Sequence, residues 1–345
     1  MRVRSIESAD LPALLALAQS TGVGVTTLPA NAERLGRRID ASLATLAQAP
    51  DPARASLLFV LDDPARPQHV VGICGLEGAL GMSEPWYNYR VGAAVHASRE
   101  LGLYRRLETL FLSNDLTGAA ELCSLFLHPD WRRDGNGSLL SKSRFLFLAE
   151  FPEYFSPRVI AEMRGVSDEH GRSPFWESLG RHFFSMEFSE ADYLTGIGNK
   201  SFIAELMPQH LIYTAFLSEP ARAVIGQVHA NTRPALALLT GEGFRYNGYV
   251  DIFDAGPAVE CPLADIRAVR DSLCLLAADR PPPAQAQPWL VSNRRRHGFA
   301  VTLAHTAPDA DGQLPLDAQA LAALAIAPGD SVRAVPLSRP HPNRP

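Results

Sequence analysis

The sequence predicts an α+β fold of two similar halves, two mixed sheets flanked by helices, and three observations carry that prediction. The first is the stretch Glu121–Leu140. An apolar, strand-type run (Glu121–Leu127) breaks at His128-Pro129-Asp130, passes a basic, glycine-bearing turn (Arg132 to Gly137) and enters a helix from Ser138 to about Glu150. The second is a weaker echo: an apolar run Ala223–Val228, then His229, then a helix from Thr232 to about Thr240 that stops at Gly241-Glu242-Gly243-Phe244. The third is a pair of strands, Ser56–Leu61 and Val70–Glu77, joined by a turn at Asp62-Asp63-Pro64.

The remaining elements fill in around these. Val3–Ile6 reads as a first strand. Asp10 opens an amphipathic helix carrying Leu11, Leu14, Leu15 and Leu17, and Asn31 caps a second helix to about Ala47. Tyr87–Val91 with Val95-His96 reads as a strand with polar residues at alternate positions, and another strand ends at Phe111–Asp115. Val159–Met163 predicts a strand, followed by the polar loop Arg164–Arg172, and Ser173 with Pro174 starts a short helix. Gly196-Ile197-Gly198 is a break, Phe202–Met207 reads as helical and Tyr246–Phe253 as a strand. The last third is plainer: a helix at Ile266–Asp271, an extended Pro/Ala/Gln segment at 281–288, a strand at Trp289–Val291, a helix at Asp317–Leu324, a strand at Ser331–Val335 and a disordered tail. This divides the chain into residues 1–150, 151–257 and an extension, 258–345.

Composition narrows the function classes. The 345 residues are 46% hydrophobic and 20% charged, enough to bury a sizeable core. A formal net charge of −5 argues against non-specific nucleic-acid binding. No signal sequence and no long apolar span appears, so the expectation is a cytoplasmic protein away from membranes. Four scattered cysteines and ten histidines without ligand spacing imply neither a disulfide framework nor a metal site.

The chemistry concentrates in the Glu121–Leu140 stretch. A strand, a glycine turn and a helix N-terminus together make an anion site: backbone N–H groups point outward and the helix dipole adds partial positive charge. Leu125 and Leu127 end the strand in the spacing L-x-L-x-P, and Arg132, Arg133, Gly135, Asn136, Gly137 and Ser138 follow. The pattern R-x-x-G-x-G after a strand resembles the acyl-CoA signature of the GCN5-related N-acetyltransferase (GNAT) superfamily. A third glycine, needed for a dinucleotide fingerprint, is absent at Leu140, and no G-K-[ST] follows for a P-loop. A bare glycine pair in such a turn is more often only a tight connection; the arginine and the strand spacing make this one more specific.

Longer stretches narrow the resemblance further. Ser113–Pro129 (SNDLTGAAELCSLFLHP), Ala161–Glu177 (AEMRGVSDEHGRSPFWE), the Phe188–Lys200 segment and Arg233–Pro257 (RPALALLTGEGFRYNGYVDIFDAGP) are similar to the arginine N-succinyltransferase family of bacterial arginine catabolism. The resemblance covers Met1–Pro257 strongly and the rest loosely. It implies a duplicated GNAT-like acyl-CoA N-acyltransferase fold, with succinyl transfer from succinyl-CoA to the α-amino group of L-arginine and no permanently bound cofactor. It also implies that His229 is the proton donor and that Leu125 contacts succinyl-CoA. From the residues alone, a single histidine after a strand is more often structural.

Both signs of charge are needed to hold the two substrates, and Arg90, Asn114, Arg164 and Asp168 are the expected partners; each also fits an ordinary surface ion pair. The acceptor could equally be ornithine or another amine, and a non-catalytic acyl-CoA-binding subunit is the reading from a different class. Both a homo-oligomer and a hetero-oligomer with a paralogous subunit stay open.

Overall fold

The computed structural model describes residues 1–20, 28–196 and 206–338. The Gly196–Gly198 break and the Phe202–Met207 helix therefore fall largely outside the described residues. The described residues form fifteen strands: β1 (Arg2–Ser5), β2 (Ser56–Asp63), β3 (Arg66–Glu77), β4 (Asn88–Ser98), β5 (Leu103–Ser113), β6 (Ala120–Leu127), β7 (Arg158–Glu162), β8 (Ile212–Tyr213), β9 (Arg245–Val250), β10 (Pro257–Pro262), β11 (Leu273–Asp279), β12 (Gln287–Asn293), β13 (Ala300–Thr306), β14 (Gln313–Leu316) and β15 (Ser331–Pro336). They hydrogen-bond in the order β14-β11-β15-β12-β13-β1-β2-β3-β6-β7-β10-β9-β4-β5-β8.

The mixed, helix-flanked α+β architecture is the expected one, but its two sheets run together into one. The joint is the parallel pair β6–β7, which meets only at Ala120↔Val159 and Glu121↔Ile160. The hairpin β4–β5, drawn from the first 150 residues, lies on the far side of that joint and pairs with β9 through Tyr89↔Val250. The C-terminal strands attach at the opposite edge through β1 and β13.

Local sequence accounts for most helix starts. In α1 (Leu11–Gln19), Leu14, Leu17 and Ala18 turn inward. In α2 (Ala32–Ala47), Asn31 accepts from the Arg34 amide at 2.9 Å, and Leu35, Ile39 and Leu46 face β2 and β3. Ser173 caps the helix Pro174–Ser178 and Asp317 the helix Ala318–Leu324, each accepting from the amide three residues on. The expected strand at Ala223–Val228 is not one. Glu219–Val224 is helical, because Ser218 accepts from the Ala221 amide at 3.4 Å and Pro220 sits in the first turn. This cap outweighs the β-branched character of Val224 and Ile225.

The organising helix is α3 (Asn136–Glu150). It is buried on most of its circumference, because the N-terminal strands, the C-terminal strands and the helix Arg267–Arg270 all pack on it. Phe147 meets Phe59 of β2 at a ring separation of 5.2 Å and Phe299 of the C-terminal extension at 5.0 Å. Lys142 and Arg267 converge on the fully buried Glu242, at 2.9 and 2.8 Å, and both also donate to carbonyls near the chain's end. Core packing and a buried ion cluster thus fix α3, and with it the strand that precedes it.

Candidate active site

β6 carries one extra residue. Its register against β3 passes from Ile73↔Phe126 to Gly75↔Cys123, three steps on one strand against two on the other. The surplus is taken up at Ser124, whose φ of 54° lies in the left-handed region that non-glycine residues rarely enter. Two arginines hold the bulge. Fully buried Arg144 of α3 donates to the Cys123 carbonyl at 3.3 Å, and Arg38 of α2 donates to the Ser124 hydroxyl at 2.8 Å. Beyond Glu121, β6 makes no bridge to β7, so the two parallel strands splay. An edge of main chain then opens into the space between them.

That space is a cavity of about 780 Å³. The wall from β6 is Glu121 to Phe126, the opposite wall Ala161–Arg164, and α2 contributes Arg34, Arg37 and Arg38. Asn231, Thr232, Asp251 and Asp254 close another side. Cations and carboxylates therefore share one chamber, as a substrate bearing both signs requires.

At the Leu127 end, Arg132 lines the cavity and its Nε donates to the Leu127 carbonyl at 3.1 Å. Gly135, at φ 76°, makes the left-handed step into α3, and buried Asn136 ties the turn by donating to the Trp131 carbonyl. The Asn136 amide bonds back to Arg133, whereas those of Gly137 and Ser138 meet no acceptor among the described residues. Two main-chain donors thus stand free at a helix N-terminus beside Arg132. Arg133 is exposed, with its guanidinium 5.5 Å from the Trp131 ring. Leu125 lines the cavity; Leu127 is turned into the core.

His229 is half-buried at the start of a short 3₁₀ turn. Its amide donates to the Arg164 carbonyl at 2.9 Å, and its Nδ1 accepts from the Asn231 amide at 3.1 Å. Arg164 and Asn231 both line the cavity, although His229 itself does not. The occupied Nδ1 leaves the neutral ring's proton on Nε2. Partial burial, helped by the nearby Arg164 charge, holds the imidazole below its ordinary value of 6.5, so it is uncharged at neutral pH. His128 repeats this local geometry after β6, with Nδ1 accepting from the Asp130 amide and its own amide bonded to Val71. A His-led 3₁₀ turn before a helix thus occurs twice in the chain.

Of the four expected substrate contacts, the cavity includes one, Arg164, which also donates to Ser167 at 2.9 Å. Arg90 sits in a surface cluster instead, 3.5 Å from Asp115 and over the Tyr249 ring. Asn114 donates to the carbonyl of Trp86, a lining residue, at 2.6 Å. Asp168 closes its own turn by accepting from the His170 and Arg172 amides; the Arg172 amide bond foremost holds its carboxyl below the usual range. The three α2 arginines and Arg144 went unmarked in the sequence. Their spacing at 34, 37 and 38 reads as a solvated helix face until β6 is seen to lie across from it.

Several comparisons bear on this geometry. Residues 1–268 match the family model described as arginine N-succinyltransferase beta subunit, and residues 273–336 match the model for that subunit's C-terminal domain. Among curated relatives, the arginine N-succinyltransferase subunit beta of Pseudomonas aeruginosa is 58% identical, over 98% of each chain. The arginine N-succinyltransferase of Citrobacter koseri is 54% identical, again over 98% of each. Among solved structures, arginine/ornithine succinyltransferase subunit AI from Pseudomonas aeruginosa superposes with a TM-score of 0.89 at 33% identity, covering 98% of both chains. With a family model spanning most of its length and relatives above half identity throughout, the chain belongs to the arginine N-succinyltransferase family.

Proposed function

We propose that the chain transfers the succinyl group of succinyl-CoA to the α-amino group of L-arginine. The observation that carries this reading is the splayed β6 edge, which runs between two free helix-start amides and a cavity lined by charges of both signs. The CoA diphosphate takes the Gly137 and Ser138 amides, with Gly135 and Asn136 shaping the turn and Arg132 and Arg133 supplying positive charge. The amide-bearing arm pairs along β6 at Leu125 as an added strand would, and the thioester reaches the Ser124 bulge.

At the bulge the neutral amine attacks the thioester carbon; the N–C bond forms and the C–S bond breaks. The Nε2–H of His229 hydrogen-bonds the departing sulfur as negative charge develops on it, while the proton shed by the nitrogen that becomes an amide passes to that sulfur, so the ring stays neutral and CoA leaves as the thiol. A positioned acid of this kind is worth about 10²–10⁴-fold in rate. Arg164 and the carboxylates of Glu162, Asp251 and Asp254 offer the amino acid partners of both signs. The subunit wording in relatives' names supports an oligomeric working form. The solved relative's arginine/ornithine title makes L-ornithine the acceptor to compare.

The test is CoA release from succinyl-CoA with L-arginine, L-ornithine and other amines, wild type against His229→Ala. Turnover with L-arginine that falls by about 10²-fold or more in the variant is expected. A wild type that binds succinyl-CoA without turnover would make this a binding subunit, and an unimpaired variant would remove His229 from the chemistry.

A further inference from the structure

Arg34, Arg37 and Arg38 stand within little more than one turn of α2, and all three line the cavity. Like charges at this spacing repel one another. Arg38 is largely satisfied, by the Ser124 hydroxyl at 2.8 Å and Glu77 at 3.9 Å. Arg34 is not: its Nε is buried with no hydrogen-bond partner. Burial first, and then the charges of Arg38 and Arg37, pull the Arg34 guanidinium below its ordinary value. Across the bulge, buried Arg144 adds a further positive charge to the same wall. An anion placed here would relieve the repulsion and take up the unused donor.

The position selects the anion. Arg38 touches Ser124, the residue where β6 bulges, midway along the Glu121–Phe126 wall and beyond Leu125 from the free helix-start amides. On the proposed reading, on which this inference rests, the thioester lies at that bulge and the distal end of the acyl group points past it. We infer that Arg34 and Arg38, with Arg37 at the rim, form a carboxylate subsite that takes the free carboxylate of the dicarboxylic acyl group and so selects succinyl over uncharged acyl donors.

The test measures kcat/KM for succinyl-CoA and for butyryl-CoA, which has the same chain length without the carboxylate, in wild type, Arg34→Gln and Arg38→Gln. Preference for L-arginine over agmatine, which lacks the amino-acid carboxylate, is measured alongside, and thermal melting confirms that each variant is folded. Losing one charge-assisted contact should cut the succinyl-over-butyryl preference about 10- to 100-fold while leaving the arginine-over-agmatine preference in place. Should the variants lose the second preference and keep the first, the arginines hold the acceptor's carboxylate and the inference is overturned. It is overturned too if both preferences persist. A wild type that transfers acyl groups without favouring succinyl would overturn the substrate reading itself; a wild-type preference that survives both substitutions overturns only the subsite.

Discussion

Glu242→Gln should destabilise the fold severely while barely changing its shape. The Glu242 side chain is fully buried, and its carboxylate accepts from Arg267 Nη2 at 2.8 Å, Lys142 Nζ at 2.9 Å and the Ala268 amide at 2.8 Å. The amide isostere leaves two buried cations without a counter-charge, which costs about 3–5 kcal/mol, a large part of the 5–15 kcal/mol typical of a domain. The damage should centre on the contact of α3 with the chain's end, because Lys142 and Arg267 also donate to the Leu337 and Pro336 carbonyls. Burial alone would raise the Glu242 pKa, but the hydrogen bonds from Arg267 and Lys142 outweigh it and leave the carboxyl below 4.5. A carboxyl depressed on folding contributes stability above its unfolded pKa and loses it as pH falls through the folded one. Wild type and variant should therefore differ most at pH 6–8, begin to converge below about pH 4.3 and meet only in stronger acid, once the folded carboxyl is itself protonated. Urea unfolding followed by tryptophan fluorescence at several pH values reads both effects. A difference under about 1 kcal/mol at pH 7, or one that does not shrink in acid, would refute the reasoning.

Phe147→Ala should cost about 3–5 kcal/mol and loosen the C-terminal strands first, since it removes the ring that packs on both Phe59 and Phe299; hydrogen exchange at β13 would report it. The His229 imidazole should titrate below 6.5 by NMR, and Arg164→Gln should move its midpoint upward by removing a nearby positive charge. An unmoved midpoint would mean that burial alone sets it.

Much of this structure is written locally. Asn31, Ser173 and Asp317 announce their helices through side chains that cap the next amides, and the Glu121–Glu150 stretch reads as strand, turn and helix because each piece obeys its own periodicity. The run at Ala223–Val228 misleads because β-branched residues suggest a strand, while the deciding signal, Ser218 with Pro220, lies upstream. The site is legible only in part. Arg132, Leu125 and Arg164 reach the cavity from positions that their motifs mark. Arg34, Arg38 and Arg144 acquire meaning only when α2 and α3 close on the two sides of Ser124. Arg90 lies apart from that cavity for the complementary reason: its strand pairs with β9, which carries it to the Asp115 cluster on the surface.

The central claim is that main-chain amides at the start of α3 hold the diphosphate of CoA. Gly137 tests it cleanly, because a Cβ there would meet only Leu127 Cδ2, at an ordinary 4.0 Å. Gly137→Val should keep the wild-type melting temperature, while calorimetric titration with CoA shows affinity reduced by about tenfold or more as the branched side chain crowds the free amides. Wild-type affinity in that folded variant would contradict the account.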